Sequence, residues 1–519
     1  MSHLLLFLPV APLALISAAC VYALPLASRP IRRSRLSEGA ALAALGIMIA
    51  GLWHLLAFGS VTLSVLEAGW LALRLDPVSA TMALLVSFVG WIVLRYSRTY
   101  LDGDPRENTF HALMLTALAA VLTLVLSGSF AVLIPAFMMI GLCLRSLLLF
   151  YPRRTEARRA AAKFTLVWGV GDVALIGAAG LFWWAFGTLD FATLVAMAQT
   201  GLPAPAQGGV ALLILAAALK TATFPLHGWL TEVMEAPTPV SALLHAGIIN
   251  SGGFILIRMA EAVQASPGAM AALVMLGGLT ALFGSVVMLT QSAIKTALAW
   301  STISQMGFML LQCGLGLWPL ALLHVVAHSL YKAHAFLASG TAVQTVMRVR
   351  RPGPVAVPGI SAVGRSFALA LLLYAGVAAG FSLVGGPKSA QALALGAILI
   401  FGVAYLVAQG LADAAPGALT RRTMTASLAA AVAYFGFQVL AGSLWGPYLP
   451  AAPAPGPLEW ALTLLALASF GLVAVAQALF PLWAHHPATA GLRVHLANGL
   501  YLNALFDRLI GGLRTIDHN

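Results

Sequence analysis

Residues 220–258 read KTATFPLHGWLTEVMEAPTPVSALLHAGIINSGGFILIR and carry three prolines and several ionisable side chains between two apolar runs. Pro225 has no backbone N–H to donate to the preceding turn, which predicts that the helix before it breaks or kinks. Pro237 and Pro239 bracket Thr238. This spacing predicts a new helix with Thr238 as its N-cap and Pro239 as its first residue. At least one helix of this chain is therefore expected to be interrupted.

The composition is that of a membrane protein. Of the 519 residues, 61% are hydrophobic and 8% are charged, and the mean hydropathy is +0.95. Soluble domains carry about a quarter charged residues, and apolar runs of about 20 residues, long enough to cross ~30 Å of hydrocarbon, recur along this chain. We expect an all-α polytopic membrane protein with about 13–15 transmembrane helices.

The candidate spans are apolar runs that follow one another from end to end. They are residues 4–27, 39–58, 77–95, 110–127, 129–150, 161–187, 208–230, 240–261, 268–290, 294–315, 318–346, 365–385, 391–412, 424–447 and 458–484.

The net charge of +12 reflects topology, and nucleic acid is not an expected partner. Lys and Arg cluster after odd-numbered spans, at 29–35, 95–106, 153–163, 348–351 and 421–422. Cytoplasmic loops carry the excess of Lys and Arg, so the N-terminus is expected outside and the C-terminus in the cytoplasm. Lys163 is counted among these loop cations. The first run has no basic segment before it and is expected to remain as the first span.

Ionisable side chains within the spans are candidate functional groups, because a charge at the bilayer centre costs at least ~2.5 kcal/mol on insertion scales. Lys220 ends the apolar run GGVALLILAAALK. Backbone freed at membrane depth must be covered by protein or line a wet cavity, so Lys220 is expected to face such a cavity. A lysine that reaches to the interface is the alternative. Asp172, flanked by small residues, serves the same path or forms a buried structural hydrogen bond.

The segment after the break offers further candidates. His245 would lie nearly two turns inside the new helix, as a relay or as a satisfied core residue. Glu232 and Glu235 fall in the connecting loop, where a functional role and a solvated face are both open.

A second constellation lies in LLHVVAHSLYKAHAFLASG. His324, His328 and Lys332 are spaced i, i+4, i+8, which places them along one helix face with His334 on the flank. Titratable groups in file can pass a proton along, and histidine is readily tuned across physiological pH. No carboxylate or cysteine completes a metal site there. Lys295, in QSAIKTALAWSTISQMG, is either a buried relay or an interfacial anchor.

We expect Asp172, Lys220, His245, His328 and Lys332 to form one polar axis. The three cysteines stand alone, and the chain has neither a Walker loop nor a dinucleotide fingerprint. No cofactor is therefore expected in this chain, and an ion gradient is the expected energy source.

Three segments carry a family pattern: FPLHGWLTEVMEAPTPVSALLHAG, QSAIKTALAWSTISQMGFM and HVVAHSLYKAHAFLASG. They resemble the proton-translocating, antiporter-like subunits of respiratory complex I and of Mrp Na⁺/H⁺ antiporters. The resemblance runs from about residue 110 to 345 and implies two inverted five-helix repeats, each with a broken helix. The implied divisions are N-terminal helices 1–109, repeats 110–262 and 263–415, C-terminal helices 416–484 and a cytoplasmic amphipathic tail 485–519.

The resemblance also implies individual roles. Lys220 falls on the family's central proton site, and Lys295 falls on its connecting lysine. His324 and His328 fall on its paired histidines. Asp172 falls on the carboxylate of its G-D-V motif.

Two departures from the family pattern matter. The glutamate that pairs with the central lysine is absent, and Met138 or a neighbour stands in its place in FMMIGLCLRSLLLFY. Either Asp172 substitutes as the counter-ion or Lys220 works without one. The second broken helix should carry Lys or Glu near residues 380–390, where only Lys388 is available.

A shortened chain with MEAPTPVSALLHAGIINSGGF most closely resembles the DabB-type membrane subunit of DAB inorganic-carbon accumulation complexes. This implies a bacterial inner-membrane subunit that conducts H⁺, or else Na⁺, for a zinc-containing DabA-type partner related to β-carbonic anhydrases. CO₂ hydration would belong to that partner and not to this chain. The alternatives are an antiporter-like subunit of a complex I-related or Mrp assembly, and a membrane anchor that conducts nothing.

The tail LANGLYLNALFDRLIGGLR predicts an amphipathic helix. Its apolar positions are Leu502, Leu505, Phe506 and Leu509, and its polar positions are Asn503, Asp507 and Arg508. Such a helix is expected to rest on the bilayer surface or against the partner.

Overall fold

The computed structural model describes residues 7–23, 30–64, 69–341, 359–410, 417–483 and 486–509. Helices dominate these residues, and they are numbered here in chain order. The first eight are α1 (Phe7–Ala23), α2 (Pro30–Phe58), α3 (Pro77–Tyr100), α4 (Glu107–Val125), α5 (Phe130–Leu148), α6 (Thr155–Phe186), α7 (Phe191–Thr200) and α8 (Ala204–Lys220). The next seven are α9 (Gly228–Glu232), α10 (Thr238–Ala246), α11 (Ser251–Arg258), α12 (Ala260–Gln264), α13 (Pro267–Met288), α14 (Ile294–Gly314) and α15 (Trp318–Ala338). The remaining ones are α16 (Ile360–Gly385), α17 (Ala390–Gly410), α18 (Gly417–Trp445), α19 (Pro457–Ala478), α20 (Phe480–Trp483), α21 (Pro487–Ala497) and α22 (Leu502–Leu509).

The helices confirm the predicted fold class. Within the described residues, 11 helices are long and apolar enough to cross a bilayer, and shorter apolar helices accompany them. Each predicted span has a helix at its position. The seventh is corrected, because α8 ends at Lys220 and does not continue to residue 230. The chain is thus a multi-pass membrane protein.

A short β-hairpin adds to the helical fold. Strands β1 (Val61–Ser64) and β2 (Ala72–Leu75) pair antiparallel, with Val61 opposite Leu75. The hairpin covers the end of α4, where the Arg74 N–H donates to the Leu126 carbonyl at 2.7 Å. Hydropathy did not predict these strands, because four residues are far shorter than a membrane span.

The chain crosses alternately between two faces. Arg106, which follows α3, donates to the Leu149 carbonyl at the end of α5, so the arginines that follow these two helices lie on one face, called the basic face here. On the opposite face, side chains connect the other helix ends. Arg258 Nη1 lies 2.5 Å from Asp76 Oδ2, and Gln264 Nε2 donates to the Ala451 carbonyl at 2.9 Å. Which face is cytoplasmic, and where the repeats divide, stay predictions.

Glycines bring α13 and α14 into close contact. A Cβ on Gly307 would lie 2.4 Å from the Ala281 nitrogen, and a Cβ on Gly284 would lie 2.8 Å from the Ser304 nitrogen. Small residues let helix backbones approach in membrane proteins, where packing and not water drives association. This contact positions α14, which carries Lys295 and Thr302.

The second expected lysine does not lie within an interrupted span. Residues 386–389 connect α16 to α17, and the two helices pack antiparallel. The Phe367 and Phe401 rings lie 5.9 Å apart, and the Tyr374 hydroxyl donates to the Leu393 carbonyl at 2.6 Å. Lys388 is therefore part of a connection between two helices.

Candidate ion-conduction site

The predicted break follows Lys220 directly. Ala222 has a left-handed backbone with φ of +52°, and α9 begins only at Gly228. Threonine hydroxyls bond to the carbonyls at the end of α8: Thr221 Oγ1 donates to Ala217 at 2.8 Å, and Thr223 Oγ1 donates to Ala218 at 3.0 Å. Side-chain hydroxyls thus bond to the backbone carbonyls that the break leaves without a helical partner. Backbone at membrane depth must either be covered by protein in this way or line a water-filled cavity.

Lys220 is buried beside Asp172. Its Nζ lies 2.6 Å from Asp172 Oδ1, and 1% of the lysine side chain is exposed. The ammonium also lies 4.5 Å from the centroid of the Phe137 ring and 4.1 Å from that of Trp168. A carboxylate and two aromatic faces therefore surround the charge, each an attractive partner for a cation.

The structure shows which side chains lie where the family resemblance implies a glutamate. Met138 points away from the lysine, with 46% of its surface exposed, while its neighbour Phe137 faces the ammonium. Asp172, on α6, is the carboxylate that contacts Lys220. Lys220 therefore has a counter-ion in this structure.

The restart of the chain differs in one detail from the prediction. Pro237, not Thr238, is the N-cap of α10, and no side chain caps the helix. Thr238 is the first residue of the helix. Thr238 Oγ1 instead accepts a hydrogen bond from Lys295 Nζ at 3.0 Å. Lys295 therefore ties the start of α14 to the start of α10, near the basic face.

His245 belongs to a buried hydrogen-bond network. Its Nδ1 lies 3.0 Å from Thr302 Oγ1, and its ring stacks on Phe336 with centroids 4.3 Å apart. Thr302 Oγ1 donates to the Leu298 carbonyl at 3.1 Å, and Lys332 Nζ donates to the same carbonyl at 3.1 Å. One carbonyl of α14 thus connects the histidine of α10 with the lysine of α15.

The histidines of α15 continue this stripe. The His324 and His328 ring centroids lie 6.1 Å apart, and His324 Nδ1 lies 2.9 Å from Gln312 Oε1. Both ring nitrogens of His328 are buried and have no hydrogen-bond partner among the described groups. Buried unpaired nitrogens are costly and need an explanation, and a relay role offers one.

One predicted site residue, His334, does not join these groups, because it is exposed on the outer surface of α15. Glu235 lies in a 3₁₀ turn, Val233–Glu235, and its side chain lies outside the described part of the chain.

Lys163 is the functional candidate that the sequence reasoning missed. It is fully buried, and its Nζ lies 2.6 Å from Glu232 Oε1, 2.6 Å from Asn503 Oδ1 and 2.7 Å from Asp507 Oδ1. Lys163 ends the basic cluster at 153–163, but its flanking sequence AAAKFTL is apolar and continues into the span. That flank was the signal that could have identified it.

The tail helix α22 lies with its polar positions towards the bundle, and its expected contact with the bilayer or a partner stays a prediction. Asn503 and Asp507, the polar positions of α22, point inward to Lys163, while Leu505 is 50% exposed. A buried ammonium requires compensating partners, and α22 supplies them, while Phe506 of the same helix packs against the hydrophobic core.

The residues of the predicted polar axis lie in separate clusters. One contains Lys220 and Asp172, and another contains His245, Thr302 and Lys332. Between the described side chains, no hydrogen bond joins Lys220 to His245. Across the described part of the chain, no three His, Cys, Asp or Glu side chains are grouped to hold a metal ion.

The fold and these buried lysines define a polytopic membrane subunit of the antiporter-like class. Residues 127–412 match the family described as "NADH:quinone oxidoreductase/Mrp antiporter, TM". Residues 70–111 match the family described as "NADH-Ubiquinone oxidoreductase (complex I), chain 5 N-terminus". The first match covers more than half of the chain.

Similar proteins of known name indicate which members of this class the chain resembles. The "Probable inorganic carbon transporter subunit DabB2" of Halothiobacillus neapolitanus is 37% identical over 85% of this chain and 80% of its own length. The "Probable inorganic carbon transporter subunit DabB" of Hydrogenovibrio crunogenus is 40% identical over 63% of each chain. The chain belongs to the NADH:quinone oxidoreductase/Mrp antiporter family, and within it to the DabB-type subunits.

Solved structures share the fold. The Mrp complex from Dietzia sp. DQ12-45-1b aligns with a TM-score of 0.65 and 24% identity, over 97% of this chain and 59% of that one. A chain of the membrane-bound sulfane sulfur reductase, an archaeal respiratory membrane complex, aligns with a TM-score of 0.58 and 17% identity. At these identities the likeness concerns the fold alone.

Proposed function

We propose that this chain conducts protons across a bacterial inner membrane and so energises inorganic carbon uptake, with Na⁺ as the alternative ion. The buried contact between Lys220 and Asp172, beside the break after α8, is the observation that supports this most directly. A charged residue inside a span is costly and is usually retained for an ion path.

The pair can store and release one proton. When both groups are ionised, each stabilises the other at 2.6 Å. A proton that moves from the lysine to the carboxylate leaves two neutral groups, which a low-dielectric interior tolerates better than separated charges. Uptake of a proton by the carboxylate leaves the ammonium as the only charge of the pair, and loss of a proton from the lysine leaves only the carboxylate. Movement of a proton to or from the pair therefore changes its net charge by one.

The second cluster supplies a continuation. Thr302 and Lys332 both donate to the Leu298 carbonyl, His245 contacts the Thr302 hydroxyl, and His328 lies one turn before Lys332 on α15. Hydroxyls and imidazoles can each donate and accept, so such a network can pass a proton in either direction.

Carbon uptake is proposed because of the relatives. Both relatives described above are named as inorganic carbon transporter subunits. We propose that this chain works with a DabA-type, zinc-containing partner that hydrates CO₂, and that the metal belongs to that partner. The arginine clusters of the basic face favour a cytoplasmic position for it, with the N-terminus outside and the C-terminus inside.

The test is the variant Lys220→Met in a strain that lacks carbonic anhydrase and expresses this chain together with its partner. We expect that the variant inserts into the membrane at the normal level and no longer supports growth at ambient CO₂. His334→Ala is the matched control, because that side chain is exposed, and it should grow normally. Normal growth of Lys220→Met would contradict the proposal.

A second candidate function has its own support. The "NADH-quinone oxidoreductase subunit L" of Mycobacterium tuberculosis is 32% identical over 83% of this chain. If the chain instead rescues a sodium-sensitive strain, or purifies with quinone-reducing subunits, the antiporter-like or redox-coupled function replaces carbon uptake. If Lys220, His328 and Lys332 can all be replaced without loss of uptake, the chain is a non-conducting anchor.

A further inference from the structure

The cluster around Lys163 joins three distant parts of the chain. Lys163 comes from α6, Glu232 from the end of α9, and Asn503 and Asp507 from α22. Asn503 Nδ2 also donates to Glu232 Oε1 at 2.7 Å, so the tail contacts both the lysine and the carboxylate. All three elements meet near the basic face.

The tail helix fits closely against the broken segment. A Cβ on Gly228 would lie 2.1 Å from Asn503 Oδ1, so the first residue of α9 leaves room for the tail only because it is glycine. Gln291 Nε2 donates to the Ala497 carbonyl at 3.2 Å and holds the segment before α22 against the end of α13. The C-terminal segment is therefore packed against the bundle at several points.

The cluster lies close to the Lys220 pair. Lys163 and Asp172 are nine residues apart on α6, which corresponds to about 13.5 Å along the helix axis. Between them stand three aromatic rings: Phe164 and Trp168 are 5.1 Å apart, and Trp229 is 6.0 Å from Trp168. Trp168 also contacts the Lys220 ammonium, so one aromatic layer separates the two polar sites.

The charges of the cluster do not cancel. One ammonium faces two carboxylates, so the ionised cluster carries a net charge of −1, and Glu232 Oε2 is buried without a hydrogen-bond partner. The carboxylate side chains of Glu232 and Asp507 are 20% and 24% exposed, so this excess of negative charge attracts a cation that arrives from the solvent. The unpartnered oxygen is an atom on which such a proton can bind.

We propose that Lys163, Glu232 and Asp507 form the ion-entry site of the basic face, and that the C-terminal helix completes it. A proton from the solvent binds a carboxylate oxygen of this site. It then passes beyond the aromatic layer to the Lys220 and Asp172 pair, which returns the entry site to its original charge. This inference rests on the proposed function, and it makes α22 part of the conduction path.

The experiment compares Asp507→Asn, Asp507→Glu and Arg508→Gln in the full complex, with ion-driven carbon uptake as the readout. Asp507→Asn keeps the size of the side chain but removes its charge, and uptake is expected to fall by about 10²-fold, the lower end for a positioned proton-transfer group. Asp507→Glu retains a carboxylate and should restore most of the rate. Arg508 is exposed on the same helix, so Arg508→Gln should match the wild type.

Limited proteolysis reports whether α22 stays docked in each variant. If Asp507→Asn undocks the tail, Glu232→Gln decides, provided that proteolysis shows its tail to be docked. It removes a carboxylate of the site and leaves every residue of α22 in place, and the same loss of uptake is expected. A wild-type rate in Asp507→Asn or Glu232→Gln would overturn the inference, as would an Asp507→Glu variant with a docked tail and no activity. If Lys220→Met is also fully active, the proposed function itself fails. If Lys220→Met is inactive, only the entry site is wrong.

Discussion

Lys220 Nζ and Asp172 Oδ1 lie 2.6 Å apart, although 48 residues separate them in the sequence. The lysine ends α8 and the carboxylate lies in the middle of α6, so the contact depends on the packing of two spans. Phe137 faces the same ammonium from α5. Asp172 is thus the carboxylate that balances the charge of Lys220 in this structure.

The first prediction concerns the Asp172→Asn variant. It leaves the buried lysine without its charge partner, which typically costs about 3–5 kcal/mol of stability. Uptake should be lost as well. The double variant Lys220→Met with Asp172→Asn should recover stability but not uptake, because no buried charge is left unpaired. Thermal unfolding in detergent measures the stability, and a transport assay measures carbon uptake. An Asp172→Asn variant as stable as the wild type would contradict the prediction.

Thr302→Val tests the connection between His245 and Lys332. The substitution keeps the shape of the side chain but removes the hydroxyl that joins His245 to the Leu298 carbonyl. Uptake should fall by about tenfold, equivalent to ~1.4 kcal/mol, which is near the upper value for one hydrogen bond. An unchanged rate would show that protons do not pass through this hydroxyl.

Gly307→Ala should disturb the contact between α13 and α14. The new Cβ would meet the Ala281 nitrogen at 2.4 Å, so the two backbones must separate. Overpacking of this kind typically costs about 1–3 kcal/mol. Gly278→Ala is the control, because a Cβ at that position meets no atom within 4 Å. Equal melting temperatures for the two variants would refute the packing argument.

The ion pair of Asp76 and Arg258 predicts a pH dependence of stability on the opposite face. Burial raises the pKa of Asp76, but Arg258 and Arg74, together with a hydrogen bond from Ser79, bring it down to about 2. A lowered folded-state pKa stabilises the protein fully above the ordinary value of about 3.9, and this contribution is lost as the pH falls towards about 2.

Asp76→Asn should therefore be about 2 kcal/mol less stable than the wild type at pH 7, and the difference should shrink below about pH 4. Unfolding in detergent at pH 7 and pH 3 measures both differences. A difference that stays the same at both pH values would rule out the ion pair as its cause.

Some of the site could be predicted because its cause is local. Pro225 removes a hydrogen-bond donor wherever the chain folds, so the end of α8 follows from the sequence. The spacing of His324, His328 and Lys332 places them on one face of any helix. The partners of Lys163 could not be predicted in the same way. The apolar flank AAAKFTL indicates a buried lysine, but Glu232 and Asp507 reach it only through tertiary packing.

Sequence alone determined the membrane class, the positions of the spans and the interruption after Lys220, since hydropathy and proline chemistry act over short distances along the chain. Only the tertiary structure decided which charge balances which. Asp172 reaches Lys220, and Asp507 reaches Lys163, through contacts between helices far apart in the sequence. The tail's amphipathic pattern defined two faces but not which one is buried. The deciding factor was the cost of leaving an ammonium unpaired inside the protein, and that cost depends on what the folded chain places around it.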